Sequence, residues 1–159
     1  MSYQAVILTV SDSCAAGTRT DTSGPAIRGM LENAGFAVQA MQTVPDKEGQ
    51  ISAAIVHACD ILQADLVVTT GGTGLSARDV TPEATLAVLD REIRAIPVAM
   101  WVEGLKSTPR AMLSRAVAGI RGHTLVLNVP GSEKAARENL GAVVATLDHA
   151  LRMLAGGGH

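Results

Sequence analysis

The sequence predicts an α/β fold in a single domain: a three-layer α/β/α sandwich around a mostly parallel sheet. Three observations lead there. Short β-branched apolar runs alternate with longer stretches of helical period; no linker, internal repeat or low-complexity tract interrupts them; and 159 residues with 47% apolar content suit one core rather than two.

The elements follow in order. "AVILTV" at residues 5–10 reads as a buried strand, and Ile27, Met30, Leu31 and Ala34 then share one helical face until Gly35 supplies a C-cap. "FAVQAMQTV" at 36–44 resembles an outer strand. Ile51, Ala54, Ile55, Ala58 and Leu62 mark the next helix, with Asp46 as its expected N-cap. "DLVVTT" at 65–70 is apolar from Leu66 to Val68, ahead of its threonines, and reads as a central strand. Thr81, Pro82 and Glu83 start a helix near Pro82, because proline suits the first helical position and an acid there complements the helix dipole. "TLVLNV" at 124–129 is a further buried strand. After "PGS" comes a last helix with Leu140, Val143, Val144, Leu147, Leu151 and Leu154 on one side. The domain is taken as 1–159, with "GGGH" at 156–159 as a frayed tail.

Composition excludes several function classes. Thirteen Lys and Arg against fifteen Asp and Glu give a net charge of −2, so no global field attracts nucleic acid or anionic membranes, and any anion site must be local. Cys14 and Cys59 have neither CxxC spacing nor a partner at metal-ligand intervals, and read as free thiols in a reducing cytoplasm. The N-terminus lacks a basic segment ahead of its apolar run, and no stretch approaches the roughly 18 apolar residues of a membrane span. A soluble cytoplasmic protein with no nucleic-acid or membrane partner is expected. His57, His123, His149 and His159 form no recognisable metal constellation, and GxSxG, HExxH and Ser-His-Asp patterns are absent.

Ligands of open α/β sheets bind beyond the carboxyl ends of the strands. Three loops follow apolar strands there: "SDS" (Asp12, Ser13), "TGGTG" (Thr70, Gly71, Gly72, Thr73, Gly74) and "PGS" (Pro130, Gly131, Ser132). Glycines let backbone N–H groups approach a phosphate or polar ring, although "TGGTG" taken alone serves a tight strand-to-helix turn equally well and matches neither a Walker A loop nor GxGxxG. Asp46 alone is compatible with a helix cap. Asp79 is compatible with an Arg78 ion pair or a turn acceptor, Ser114 with a surface hydroxyl, and Lys106 with a solvated cation.

Together, "VSDS", "AGTRTDTSGP", "VPD", "TTGGTGLSARDVTPEAT", "LKSTPRAMLSRAVAGIRG" and "LVLNVPGS" resemble, in that order, the Mog/MoaB family of molybdenum-cofactor biosynthesis, above all its adenylyltransferase branch with the G domains of plant Cnx and animal gephyrin proteins. The resemblance runs from about Val6 to the last helix. It implies molybdopterin adenylyltransferase activity: ATP and molybdopterin yield adenylyl-molybdopterin and pyrophosphate with Mg²⁺, on a three-layer domain that assembles as a homotrimer and passes its product to a molybdate-inserting partner. It places the family's acids on Asp46 and Asp79 and its active-site serine on Ser114. Asp79 and Asp46 are thereby the expected metal holders; the glycine loop, Ser114, Lys106 and "PGS" are the expected phosphate or ring binders, alongside Asp12 and Ser13. Related readings are a MoaB-like molybdopterin-binding protein with little or no turnover, and a scaffold. Two departures from the family pattern stand out: Glu133 where a proline often follows "PGS", and Val98 and Trp101 where a glycine and a basic residue are expected.

Overall fold

A computed structural model describes residues 2–157. Six strands form one sheet: β1 (Gln4–Val10), β2 (Ala37–Val44), β3 (Leu66–Thr70), β4 (Arg91–Glu92), β5 (Ala118–Arg121) and β6 (Thr124–Val129), in the order β2-β1-β3-β6-β5-β4. β1 lies parallel to β2 and β3, and β3 parallel to β6. β5 runs antiparallel to both β6 and β4. The expected sandwich is therefore present. Its antiparallel edge arises from a tight hairpin in which Arg121 faces Thr124 and Gly122 takes φ +58°, a conformation open to glycine.

Alternation along the strands explains the layers. Ala5, Ile7, Leu66, Val68, Leu125 and Leu127 point to one face, where Ile27 and Leu31 of α2 (Ser23–Asn33), Met100 of α5 (Ala95–Leu105), and Leu140 and Leu147 of α6 (Glu133–Leu154) cover them. Val6, Leu8, Val10, Val67 and Val126 point to the other, against Ile51 and Ile55 of α3 (Glu48–Val56) and Ala84 of α4 (Thr81–Leu86). A single-turn helix α1 (Asp12–Ala15) follows β1, a π-turn (His57–Ile61) extends α3, and a 3-10 turn (Pro109–Leu113) follows α5. Among the described residues no helix is long and apolar enough to cross a membrane.

Helix ends follow local rules, with two corrections. As expected, Gly35 at φ +94° closes α2: the N–H groups of Gly35 and Phe36 donate to the carbonyls of Glu32 and Leu31. Gly156 at φ +81° closes α6 in the same way, with Gly156 and Gly157 donating to Met153 and Arg152. These two residues of the expected frayed tail are thus a hydrogen-bonded cap, while Gly158 and His159 lie outside the described residues. The second correction concerns Asp46. The N-cap of α3 is Lys47, which offers no capping side chain, and the Asp46 carboxylate is engaged elsewhere.

Candidate active site

β1, β3 and β6 are adjacent or near-adjacent parallel strands, and the chain leaves β1 toward β2 on one side before returning to β3 on the other. Loops beyond the carboxyl ends of strands on either side of such a switch diverge and leave a crevice. The crevice here is a cleft of about 1320 Å³.

The first wall is α1, which the sequence reads only as a loop. Its N-cap Ser11 accepts from the Cys14 N–H at 3.2 Å, and its hydroxyl lies 3.2 Å from that of Ser13. Asp12 and Asp46 form a reciprocal latch. The Asp46 N–H donates to Asp12 Oδ1 at 2.8 Å, and the Asp12 N–H donates to Asp46 Oδ2 at 2.9 Å, joining the ends of β1 and β2. Burial pushes the Asp46 carboxyl above its ordinary value; the Asp12 amide opposes that, and the negative charges of Asp12 and Asp79 reinforce it. Arg78 lies 3.7 Å from Asp12, not paired with Asp79. Asp79 is a turn acceptor instead: Oδ2 takes the Ser76 N–H at 3.1 Å, and its own N–H donates to the Ser76 carbonyl.

The second wall is the glycine loop. Gly71 and Gly72 have φ of +103° and +71°, and a Cβ on either would lie 2.3 Å from an oxygen, the Val10 carbonyl or the Thr81 hydroxyl respectively. Glycine is therefore required here for contact with the protein itself. Thr81 donates to the Gly71 carbonyl at 2.9 Å, and Thr70 to the Pro130 carbonyl at 2.8 Å. Buried Thr73 accepts the Arg115 N–H on its carbonyl. Among the described residues the N–H groups of Gly72, Thr73 and Gly74 have no acceptor, so donors remain on residues that line the cleft.

Pro130, Gly131 and Ser132 make the third wall. A Cβ on Gly131 would lie 3.2 Å from the Gly71 Cα, so the two loops meet backbone to backbone. Ser132 caps α6, accepting the Ala135 N–H at 3.3 Å. Glu133 lies in the first turn of α6, 3.8 Å from Arg137, and does not line the cleft. Ser114 does line it, half-buried, with its hydroxyl accepting the Ala116 N–H at 3.3 Å.

Lys106 is the expected binder that the fold does not bring in. It is the exposed C-cap of α5, and its ammonium pairs with Glu103 at 2.8 Å; Ser107 and Thr108 reach the cleft instead. Trp101, half-buried on α5, also lies outside the cleft lining. Sequence reasoning missed Asp21, which lines the rim and accepts from Thr9 Oγ1 at 2.7 Å and from the Gly24 N–H at 3.0 Å. It also missed Arg110 and Lys134, which add positive charge to the lining, and Arg115 beneath the glycine loop. A lone arginine in the mostly apolar run after Ser114 was the available signal for Arg115.

A family model described as a probable molybdopterin binding domain matches residues 6–149. The chain belongs to that family. Its relatives vary in length. It is 39% identical to the molybdenum cofactor synthesis protein cinnamon of Drosophila melanogaster, over 93% of this chain but only 25% of that protein, so the chain spans about a quarter of that relative. It is 37% identical to a molybdopterin adenylyltransferase of Helicobacter pylori, over 94% of this chain and 86% of that protein. The solved structure of the molybdopterin biosynthesis enzyme MoaB from Thermus thermophilus is 48% identical, with a TM-score of 0.92 over 97% of each chain.

Proposed function

We propose that this member of the family is a molybdopterin adenylyltransferase, transferring AMP from ATP to the terminal phosphate of molybdopterin. The observation that supports this most is that Asp46, Asp79, Ser114 and three strand-end loops line one cleft. An oxygen of the pterin phosphate bonds to the α-phosphorus as the bond to the bridging oxygen breaks, and the electron pair leaves with pyrophosphate. Such a transfer needs positioning of two polyanions and neutralisation of growing charge. The unspent amides of Gly72, Thr73 and Gly74 suit phosphate oxygens, as does the N-terminus of α6 beside Gly131 and Ser132. Ser114, which also lines the cleft, supplies a hydroxyl donor.

The donor set fits Mg²⁺. Among the described residues Oδ1 of Asp46 and Oδ1 of Asp79 accept no hydrogen bond, and no group of three or more His, Cys, Asp or Glu is gathered to hold a metal unaided. That matches an ion held by one or two carboxylates and completed by substrate phosphates. Bound there, it would supply charge stabilisation for the leaving pyrophosphate. A homotrimer working in the cytoplasm and handing its product to a molybdate-inserting protein completes the reading.

Incubation with molybdopterin, ATP and Mg²⁺ tests it by detection of adenylyl-molybdopterin. Asp79→Asn and Asp46→Asn are each expected to lower turnover about a hundredfold or more while the fold survives, since charge stabilisation is lost in the transition state. The family description, a probable molybdopterin binding domain, is also met by a second reading, a MoaB-like molybdopterin-binding protein with little or no turnover. Binding of molybdopterin without product would select it.

A further inference from the structure

We infer that Arg115 is a positioning residue, holding the 74–79 loop and so the Asp79 carboxylate in place for the reaction. Its Nε donates to the Gly74 carbonyl at 2.8 Å, one terminal nitrogen donates to the Asp79 carbonyl at 2.7 Å, and the other donates to Glu83 of α4. Its backbone N–H donates to Thr73 at 2.8 Å. The guanidinium therefore joins both ends of the loop, and its backbone pins the residue before it. Within the loop, the Ser76 N–H on Asp79 Oδ2 and the Asp79 N–H on the Ser76 carbonyl transmit that grip to the carboxylate. Ser114, the adjacent residue, also lines the cleft, so the backbone bond from Arg115 to Thr73 sets where Ser114 sits relative to the glycine loop.

Only a planar fork serves three acceptors at fixed angles. Lysine keeps the charge and loses the fork. The half-exposed pair with Glu83 is by itself a weak contributor to stability; the two carbonyl contacts, both partly buried, carry the geometry.

Asp79 acts in the reaction only if the proposed adenylyl transfer holds, so the inference rests on that reading, and the experiment separates the two. Arg115→Lys is compared with wild type and with Arg121→Lys. Arg121 is a similarly multidentate arginine that ties Asp60 and the Val88 carbonyl, away from the cleft lining. Amide hydrogen exchange at Ser76 and Asp79 should quicken by about tenfold or more in Arg115→Lys, because charge-assisted bonds are lost. It should stay unchanged in Arg121→Lys, whatever either variant does to the melting temperature. ATP affinity should lose its Mg²⁺ dependence in Arg115→Lys, by titration calorimetry. Where wild type turns over, kcat should fall about a hundredfold, and KM for ATP should rise as the Mg²⁺-dependent part of the affinity is lost. Wild-type exchange at Ser76 and Asp79 in Arg115→Lys overturns the inference, as does faster exchange with unaltered kcat. Absence of product from wild type counts against adenylyl transfer alone; exchange and the ATP titration still decide for or against Arg115.

Discussion

Gly72 shows how a residue chosen for a ligand on sequence grounds is constrained first by its own protein. A flexible loop invites the reading that glycine makes room for phosphate, yet the space a Cβ would take at Gly72 is occupied by the Thr81 hydroxyl at 2.3 Å, with Asp46 Oδ1 at 3.3 Å. Its φ of +71° adds strain for any side chain. Gly72→Ala is therefore expected to cost about 2 kcal/mol or more, a melting temperature lowered by roughly 5 °C for a domain of this size. A thermal melt checks this, and unaltered stability with weakened ATP binding would restore the ligand as the cause. Cys59 is a simpler case. Burial pushes its thiol up to about 11, which keeps it protonated and unreactive at neutral pH.

At the scale of elements, the site depends on how short pieces are tied together. α4 has only six residues, too few to persist by propensity, and is held by Thr85 on the Thr81 carbonyl, by buried Asn128 bonding Thr69 and Thr85, and by Arg115 on Glu83. The hydrogen bond from Arg115 holds the Glu83 carboxyl below its ordinary 4.5. A depressed carboxylate contributes stability that is present above the unfolded value and lost as pH falls through the folded one. The melting temperature of wild type should exceed that of Glu83→Gln above pH 4.5, and the difference should disappear on acidification below it. Calorimetric melts across that range check the sign; a gap that widened at low pH would break the assignment. The contribution is modest because both side chains are substantially exposed.

For the whole molecule, one surface of α5 stands exposed among the described residues. Val98, Val102 and Leu105 recur at helical spacing and are 48%, 57% and 44% exposed. Beside them the Trp101 indole N–H is buried and unbonded among the described residues. Burying this aliphatic surface between subunits fits the proposed homotrimer. Sedimentation at micromolar concentration should report a trimer, and Val102→Glu should dissociate it with a red shift of emission from Trp101, the chain's one tryptophan. A monomeric wild type would remove the trimer from the proposal.

Local patterns along the chain determined much of this protein by themselves. Short apolar β-branched runs and helical-period runs placed β1, β2, β3 and β6 to within a residue or two, located α2, α3 and α6, and put three loops at one end of a mostly parallel sheet, because burial of a strand or helix face is written in adjacent side chains. Motif order pointed to Asp46, Asp79 and Ser114, and all three line the cleft. Tertiary structure decided the rest. Asp46 reads locally as a helix cap, but its Oδ2 accepts from the amide of Asp12, 34 residues away. The family resemblance makes Lys106 a phosphate or ring binder, but the end of α5 turns it to Glu103 and solvent, as its local reading as a solvated cation allows. Arg115 grips Gly74 across 41 residues. A side chain's partner depends on where distant segments are brought by the packing of both faces of the sheet. Spacing along the chain does not encode that position; the closed core does.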